Sequence, residues 1–335
     1  MGRAPLVSFL LPARDAEATL PAALGSLLAQ DLASHEVLAV DDGSSDGTGA
    51  VLGAFAARDA RVRVISQPPL GIVAALNRAA REARGALLAR MDADDVARPG
   101  RLSAQIALLE ADPRVVLCGG DVEIIGQDVR SGRREYAAWI NSHHTHDEID
   151  RALFIECPVA HPAFLMRRAA FDAVGGYRDF DGPEDHDLVL RLWAAGGRMA
   201  NAREVVLEWR ESPGRLSRVD SRYRAEAFRW LKREWLRRTV LPPGTPFQQW
   251  GAGAVGKRWL REWDEESGRP SVVVDVDPRK VGKLIHGTRV IAPADLDPHA
   301  AFTVVAVGAP GARELIRAWM GERGAREGEH YRFLA

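Results

Sequence analysis

The sequence predicts an α/β fold in two parts, a parallel-sheet domain over the first two thirds of the chain and a smaller α/β domain at its end. Three observations carry that prediction. Short apolar runs of strand length alternate with helix-length segments from Leu6 onward, and polar loops follow the strand ends. This is the pattern of a parallel sheet with its site at the carboxyl edge. Three carboxylates, Asp92, Asp94 and Asp95, gather behind one of those runs. A break at Leu241-Pro-Pro-Gly-Thr-Pro246 forbids helix or central strand, and a glycine-rich turn follows it. The domains are then 1–220 and 246–335, joined by 221–245.

Composition limits the function classes. At 335 residues the chain has room for about two domains, and 46% hydrophobic with 27% charged residues is ordinary for a globular protein with a real core. A net charge of −1 argues against a general nucleic-acid binder, which needs a broad cationic face. Cys118 and Cys157 are expected to be core thiols of a reducing compartment. No basic segment leads into a long apolar run, and no stretch reaches the ~18 apolar residues of a spanning helix. The expected location is the cytoplasm.

In order, Leu6 to Leu11 is a strand, Pro12 to Glu17 a loop, and Thr19 a cap for a helix from Leu20 to Ala29. Glu36 to Val40 is the next strand, delivering the polar turn Asp41 to Thr48 before a helix from Ala50 to Ala57. Val62 to Ser66 is a third strand, and Leu70-Gly71 opens a helix through Ala80. The fourth, from Leu87, is apolar apart from Arg90 and runs into Asp92, Asp94 and Asp95. Carboxylates so close repel one another unless a cation sits among them, and hard oxygen ligands suit Mg²⁺ or Mn²⁺. Taken alone, the motif reads more readily as a solvated acidic turn before Pro99, with Asp95 capping the next helix.

The company of these residues reverses that preference. Pro12-Ala-Arg-Asp-Ala-Glu17, Val40-Asp41-Asp42-Gly43-Ser44-Ser45-Asp46-Gly47-Thr48, Gly71 with Ala75-Leu76-Asn77, Ala83-Arg84-Gly85 and Met91-Asp92-Ala93-Asp94-Asp95 follow one another, and His161-Pro162, Val174-Gly175-Gly176-Tyr177 and Glu184-Asp185-His186-Asp187-Leu188 come after them. This ordered set resembles the family-two inverting glycosyltransferases, whose GT-A fold is a nucleotide-sugar-binding α/β domain. The resemblance implies a nucleoside diphosphate sugar donor and a glycan or other hydroxyl acceptor. It assigns the donor to Pro12, Arg14, Asp41, Asp42, Gly71, Asn77 and Asp92, with Asp41 on the base and Asp92 and Asp94 as the DXD metal pair. Where the family usually has Tyr-Asn this chain has Arg14-Asp15, which leaves the base open.

The acceptor side is read from Pro158 onward: a strand-like run to Met166, a short helix from Arg167 to Val174, and a Gly175-Gly176-Tyr177 turn. Glu184 and Asp185 precede a helix from Leu188 to Ala195, where local pattern alone reads them as helix caps. The resemblance makes Asp185 the general base and gives Glu184 the positioning of the acceptor. His161 is expected to be packed. Val205 to Arg210 reads as the last strand, with Arg215 the nearest cation in the loop beyond it, where relatives often carry a His. From Ser221 to Arg238 a basic helix is expected, with Tyr223, Ala227, Phe228, Leu231 and Trp235 along one side. Its main reading is a helix packed between domains, and its alternative is contact with an anionic membrane.

The second domain opens with a strand from Phe247 to Trp250, then Gly251-Ala-Gly253-Ala-Val-Gly256 and a helix from Lys257 to Glu265. Ser271 to Val274 is the next strand, ending at Asp275, about 20 residues past the glycines, where a ribose-binding acid would fall. Phe302 to Val307 is another strand, before a helix from Gly311. This is a Rossmann-like module, and Gly251, Gly253, Gly256 and Asp275 are its candidate nucleotide site, open to the alternative of a Rossmann-shaped module with no ligand. Two rival functions remain. A nucleotidyltransferase would carry a Gly-rich phosphate loop after the first strand, yet Pro12 to Glu17 has no glycine. An NAD-dependent oxidoreductase would need a proton relay in the second domain, where none is visible.

Overall fold

The computed structural model describes residues 4–32, 34–126, 129, 131–212, 214–263 and 268–335. The chain divides into two compact units, 1–149 with 158–223 and 150–157 with 224–335. Glu265, expected as the last residue of a helix, and Pro213 of the 209–217 loop lie outside the described residues.

In the first unit β1 (Val7–Ala13), α1 (Leu20–Leu28), β2 (His35–Asp42), α2 (Thr48–Arg58), β3 (Val62–Gln67), α3 (Ile72–Glu82) and β4 (Leu87–Arg90) alternate as the apolar pattern requires. β1 lies between β2 and β4 and runs parallel to both, and β3 runs parallel to β2. Val7, Phe9 and Leu11 of β1, Val37 and Ala39 of β2, and Leu87 and Ala89 of β4 share one core with Leu20, Leu24 and Leu27 of α1. Every second residue of these strands faces that core, which sets the register. The register pairs Ala13 with Asp41, and the Met91 N–H donates to the Leu10 carbonyl at 3.1 Å. The polar loops after β1, β2 and β4 therefore leave the sheet at one edge.

Beyond β4 come β5 (Val96–Ala97), α4 (Arg101–Ala111), β6 (Val115–Ile125), α5 (Ser131–Ile140), α6 (His146–Ala152), β7 (Leu165–Arg167), α7 (Arg168–Ala173), α8 (Glu184–Ala194), β8 (Arg198–Arg210) and α9 (Leu216–Val219). The sheet order is β3-β2-β1-β4-β7-β6-β8-β5. β7 is antiparallel to β4 and β6, β5 is antiparallel to β8, and β6 is parallel to β8. The expectation of a parallel sheet thus holds for the first four strands and gives way to a mixed sheet after them. The expected strand from Pro158 to Met166 is a 3-10 turn at His161–Ala163 followed by the short β7. Pro162 has no N–H for a ladder. β6 was not foreseen, because Gly119 and Gly120 interrupt its apolar run. A Cβ on Gly119 would lie 2.5 Å from Val159, and one on Gly120 would lie 2.6 Å from Val206. Both glycines are needed for the chain to close on β6.

The second unit contains α10 (Ala225–Thr239), β9 (Phe247–Trp250), α11 (Ala254–Glu262), β10 (Val273–Val274), β11 (Leu284–Ile285), β12 (Thr288–Ile291), β13 (Phe302–Val305), α12 (Ala312–Gly321) and β14 (Tyr331–Phe333). Its sheet order is β11-β12-β10-β9-β13-β14, parallel except for β11 against β12. The basic helix expected from Ser221 starts instead at Ala225, and Ser221–Tyr223 is a separate 3-10 turn within the first unit. Along α10, Arg229 pairs with Glu226 and Glu262, and Arg237 and Arg238 pair with Glu234. These pairs reduce the cationic surface that membrane contact would need. Among the described residues no helix is long and apolar enough to cross a membrane. Cys118 and Cys157 are both buried, as expected of core residues.

Candidate active site

The loops after β1 and β2 are fastened to each other by side chains. Asp15 adopts a left-handed φ of 47°, a conformation that Asp tolerates better than most residues. Its Oδ1 accepts from the N–H of Ser45 at 2.8 Å and from the Ser45 hydroxyl at 3.1 Å, while its own N–H donates to Ser44 Oγ. The Ala16 N–H donates to Thr48 Oγ1, and Glu17 accepts from the Gly47 N–H. An Asn at position 15 would offer the same acceptor, so the departure from Tyr-Asn preserves this clasp. Pro12 is half-buried and Arg14 is exposed. Asp41, one residue before the end of β2, is half-buried, with Oδ1 accepting from the Ser44 N–H at 3.0 Å.

Asp42 and Asn77 act one layer behind. Asp42 is buried and takes three hydrogen bonds, from Gln67 Nε2 and from the N–H groups of Leu70 and Gly71. It holds the loop that leads, at a Gly71 φ of 89°, into α3. The amide of Asn77 closes in both directions on the backbone of Tyr177, at 2.8 and 3.0 Å, and fastens α3 to the Gly175-Gly176-Tyr177 turn.

At the end of β4, oxygens of Asp92, Asp94 and Asp95 lie within 4.8 Å of one another. Burial, and then the charge of Asp92, push the Asp94 carboxyl up to about 6. Asp95 is also raised well above the ordinary carboxylate range, by burial and then by the charges of Asp92 and Asp94. Its Oδ1 accepts from the Arg210 N–H at 2.7 Å, which pins β8 to the site, and its Oδ2 is buried without a hydrogen-bond partner among the described residues. Arg90 reaches Asp92 Oδ1 at 2.5 Å. Across the loop after β8, the buried Glu211 gathers Arg133, Arg215 and Arg218. Arg215 also draws the Asp94 pKa down.

Glu184 and Asp185 form the first turn of α8, which starts four residues earlier than the apolar pattern indicated. Glu184 is 1% exposed and accepts from the Tyr223 hydroxyl at 2.8 and 2.9 Å on its two oxygens. Burial, followed by the charge of Asp185, pushes its carboxyl up to about 7. Behind it, His161 Nδ1 lies 3.7 Å from Glu184 Oε1, and Nε2 is 2.8 Å from the Tyr177 hydroxyl. Burial and the charge of Arg90 hold this imidazole well below its ordinary pKa. His161 is therefore packed and neutral, as expected from its place before a proline. Asp185 is half-exposed, with Oδ1 on the His186 N–H at 2.7 Å.

A family model for glycosyl transferase family 2 matches residues 8–175, half of the chain. The chain belongs to glycosyl transferase family 2. Among curated relatives of this glycosyltransferase, the putative glycosyltransferase EpsE of Bacillus subtilis is 28% identical over 228 residues, 67% of this chain and 79% of that one. The amylovoran biosynthesis glycosyltransferase AmsE of Erwinia amylovora is 28% identical over 188 residues, 56% of this chain and 68% of that one. The crystal structure of S. aureus TarS 1-349 in complex with UDP-GlcNAc superposes with a TM-score of 0.55 at 16% identity, covering 70% of this chain and 67% of that one. It shows that the first unit has the GT-A fold.

Two residues of the glycosyltransferase's site escaped the sequence reading. Tyr223 was placed on a helix side, whereas it reaches Glu184, and Arg90 was an interruption in an apolar run. An Arg inside a buried strand is a signal in itself. In the second unit, Gly251 has a φ of 116°, and a Cβ there would be 2.5 Å from the Ala306 carbonyl. A Cβ on Gly256 would be 2.0 Å from the Gly251 carbonyl, whereas one on Gly253 meets nothing within 4 Å. Asp275 is engaged by the Ala252 N–H at 2.9 Å, Lys280 Nζ at 3.0 Å and the Asp277 N–H at 2.9 Å.

Proposed function

We propose that this glycosyltransferase is metal-dependent and inverting, and that it moves a sugar from a nucleoside diphosphate sugar to a hydroxyl of a glycan in polysaccharide synthesis. One observation carries the reading. Asp92, Asp94 and Asp95 converge at the sheet edge with Asp94 pushed up to about 6 and a buried oxygen of Asp95 unpaired, an all-oxygen set that fits Mg²⁺ or Mn²⁺. Asp92 and Asp94 would hold the ion, while Asp95 ties the site to Arg210. When bound, such an ion supplies positive charge to the diphosphate oxygens as the sugar leaves.

Asp41 accepts from the base, with Pro12 and Arg14 beside it, and the Asp15–Ser45 clasp fixes the loop that presents it. Asp185 takes the proton of the acceptor hydroxyl. As the acceptor oxygen attacks the anomeric carbon opposite the diphosphate, the new C–O bond forms, the old one breaks with its electron pair leaving on the nucleoside diphosphate, and the configuration inverts. The buried Glu184 faces Tyr223, which supports a role in setting the α8 turn under Asp185 more than direct contact with acceptor. A nucleotide on Gly253 of the second unit is a separate reading, favoured by the open space at that glycine.

The test is binding and release. Among UDP-glucose, UDP-GlcNAc and GDP-mannose, one should bind in Mn²⁺ and release its nucleoside diphosphate. Chelation and Asp94→Ala should each weaken that binding, and added metal should restore only the chelated parent. Asp185→Asn should lower transfer by at least ~10²-fold with donor affinity kept. Release of pyrophosphate would point to nucleotidyl transfer, and full donor affinity in chelator would make the carboxylates structural.

A further inference from the structure

Arg90 is buried at the end of β4, and no motif gives it a part. Its backbone is gripped on both sides: its N–H donates to the Phe164 carbonyl at 2.8 Å, and its carbonyl accepts from Arg101 Nη2 at 2.8 Å. From that fixed root Nη2 reaches Asp92 at 2.5 Å. Nε and Nη1 remain buried without hydrogen-bond partners among the described residues. A buried guanidinium with two uncommitted nitrogens is costly, and an aliphatic side chain would have completed the strand more cheaply.

The same charge draws the Asp94 and Asp95 carboxyls down, against the burial that raises them. The neighbouring Arg101 is turned toward Gln105 and Met91. We infer that Arg90 is a positioning residue for the donor half of the transfer: from a strand end fixed on both sides, it aims Asp92 at the donor. This rests on the assignment of Asp92 made above.

The test is a double-mutant cycle in the full chain, using whichever of UDP-glucose, UDP-GlcNAc and GDP-mannose the parent turns over fastest in Mn²⁺. Arg90→Met should weaken donor binding about tenfold in the parent but under threefold in Asp92→Asn, the signature of groups that act together. A residue that only fills the strand end gives equal losses in both backgrounds, so additivity overturns the inference. If Arg90→Met does not fold, Arg90→Lys decides. With charge kept and the fork lost, donor affinity should still fall in the parent and hold within about threefold in Asp92→Asn, and equal losses in the two backgrounds overturn it. A parent indifferent to chelator and to Asp94→Ala would overturn the carboxylate reading and this inference with it, whereas additivity in a metal-dependent parent overturns the inference alone.

Discussion

Glu184 has a folded pKa pushed to about 7, above the 4.5 of an exposed glutamate, through burial and then the charge of Asp185. Between those pH values the folded chain keeps a proton that the unfolded chain has released. The contribution of Glu184 to stability is therefore full below pH 4.5 and lost as pH rises through 7. At about 1.4 kcal/mol per unit the loss is on the order of 3 kcal/mol. His161 works in the opposite direction: its depressed pKa favours the folded state as pH rises through the ordinary range of histidine. Glu184→Gln removes only the first contribution. Urea unfolding at pH 4.5 and 7.5 should show the parent losing more stability over that interval than the variant, and identical slopes would mean that Glu184 ionises normally in the fold. At this scale the sequence is legible in Asp92 and Asp94, whose spacing after β4 brings their oxygens within 4.8 Å of each other. Tyr223 was not legible, because its partner Glu184 lies 39 residues away in the chain, and Arg90 was not, because an Arg that interrupts an apolar run shows neither its burial nor its aim at Asp92.

Among the elements, the loops after β1 and β2 carry a local prediction. Asp15 holds a left-handed conformation and two hydrogen bonds to Ser45. Asp15→Asn keeps the acceptor and tolerates the conformation, so stability should change by less than about 0.5 kcal/mol. Asp15→Val loses both, and a strained backbone with two missing hydrogen bonds should cost about 2–4 kcal/mol. Donor affinity should follow, since the Ser44 N–H that orients Asp41 belongs to the same clasp. Equal denaturation midpoints for the two variants would refute the clasp. Strands β1, β2 and β4 were readable because their mostly apolar runs are buried from both sides, and β3, partly exposed at the sheet edge, by its short run of Val62, Val64 and Ile65. β6 was not, because the glycines that permit its packing also hide its periodicity. The start of α8 was missed for a different reason: its first turn contains Glu184, Asp185 and Asp187, acids that suit a helix N-terminus by their charge and read as caps ahead of the helix rather than as its first turn.

Across the whole molecule, two α/β units were foreseen from the proline break and the second glycine turn, but the share of the chain that each takes was not. Segment 150–157 lies far from the C-terminus in sequence and still clusters with 224–335, a long-range choice that leaves no local pattern. The function of the second unit is testable through its glycines, which are not equivalent. Gly251 and Gly256 have no room for a side chain, so replacing them would disturb packing whatever the unit binds. Gly253 has an extended backbone and open space at its Cβ position, so Gly253→Val should fold normally and block only what approaches the mouth of α11. Asp275 already accepts from the Ala252 N–H and Lys280, and a ribose would have to share or displace that lysine, which predicts weak binding. In full-length Asp94→Ala, with the donor site disabled, calorimetric titration with NADH and with UDP-GlcNAc should still find one weak site for one of them. That site should vanish when Gly253→Val is added. If neither nucleotide binds Asp94→Ala, or if Gly253→Val leaves the binding unchanged, the turn serves the packing of α11 against β9 and nothing more.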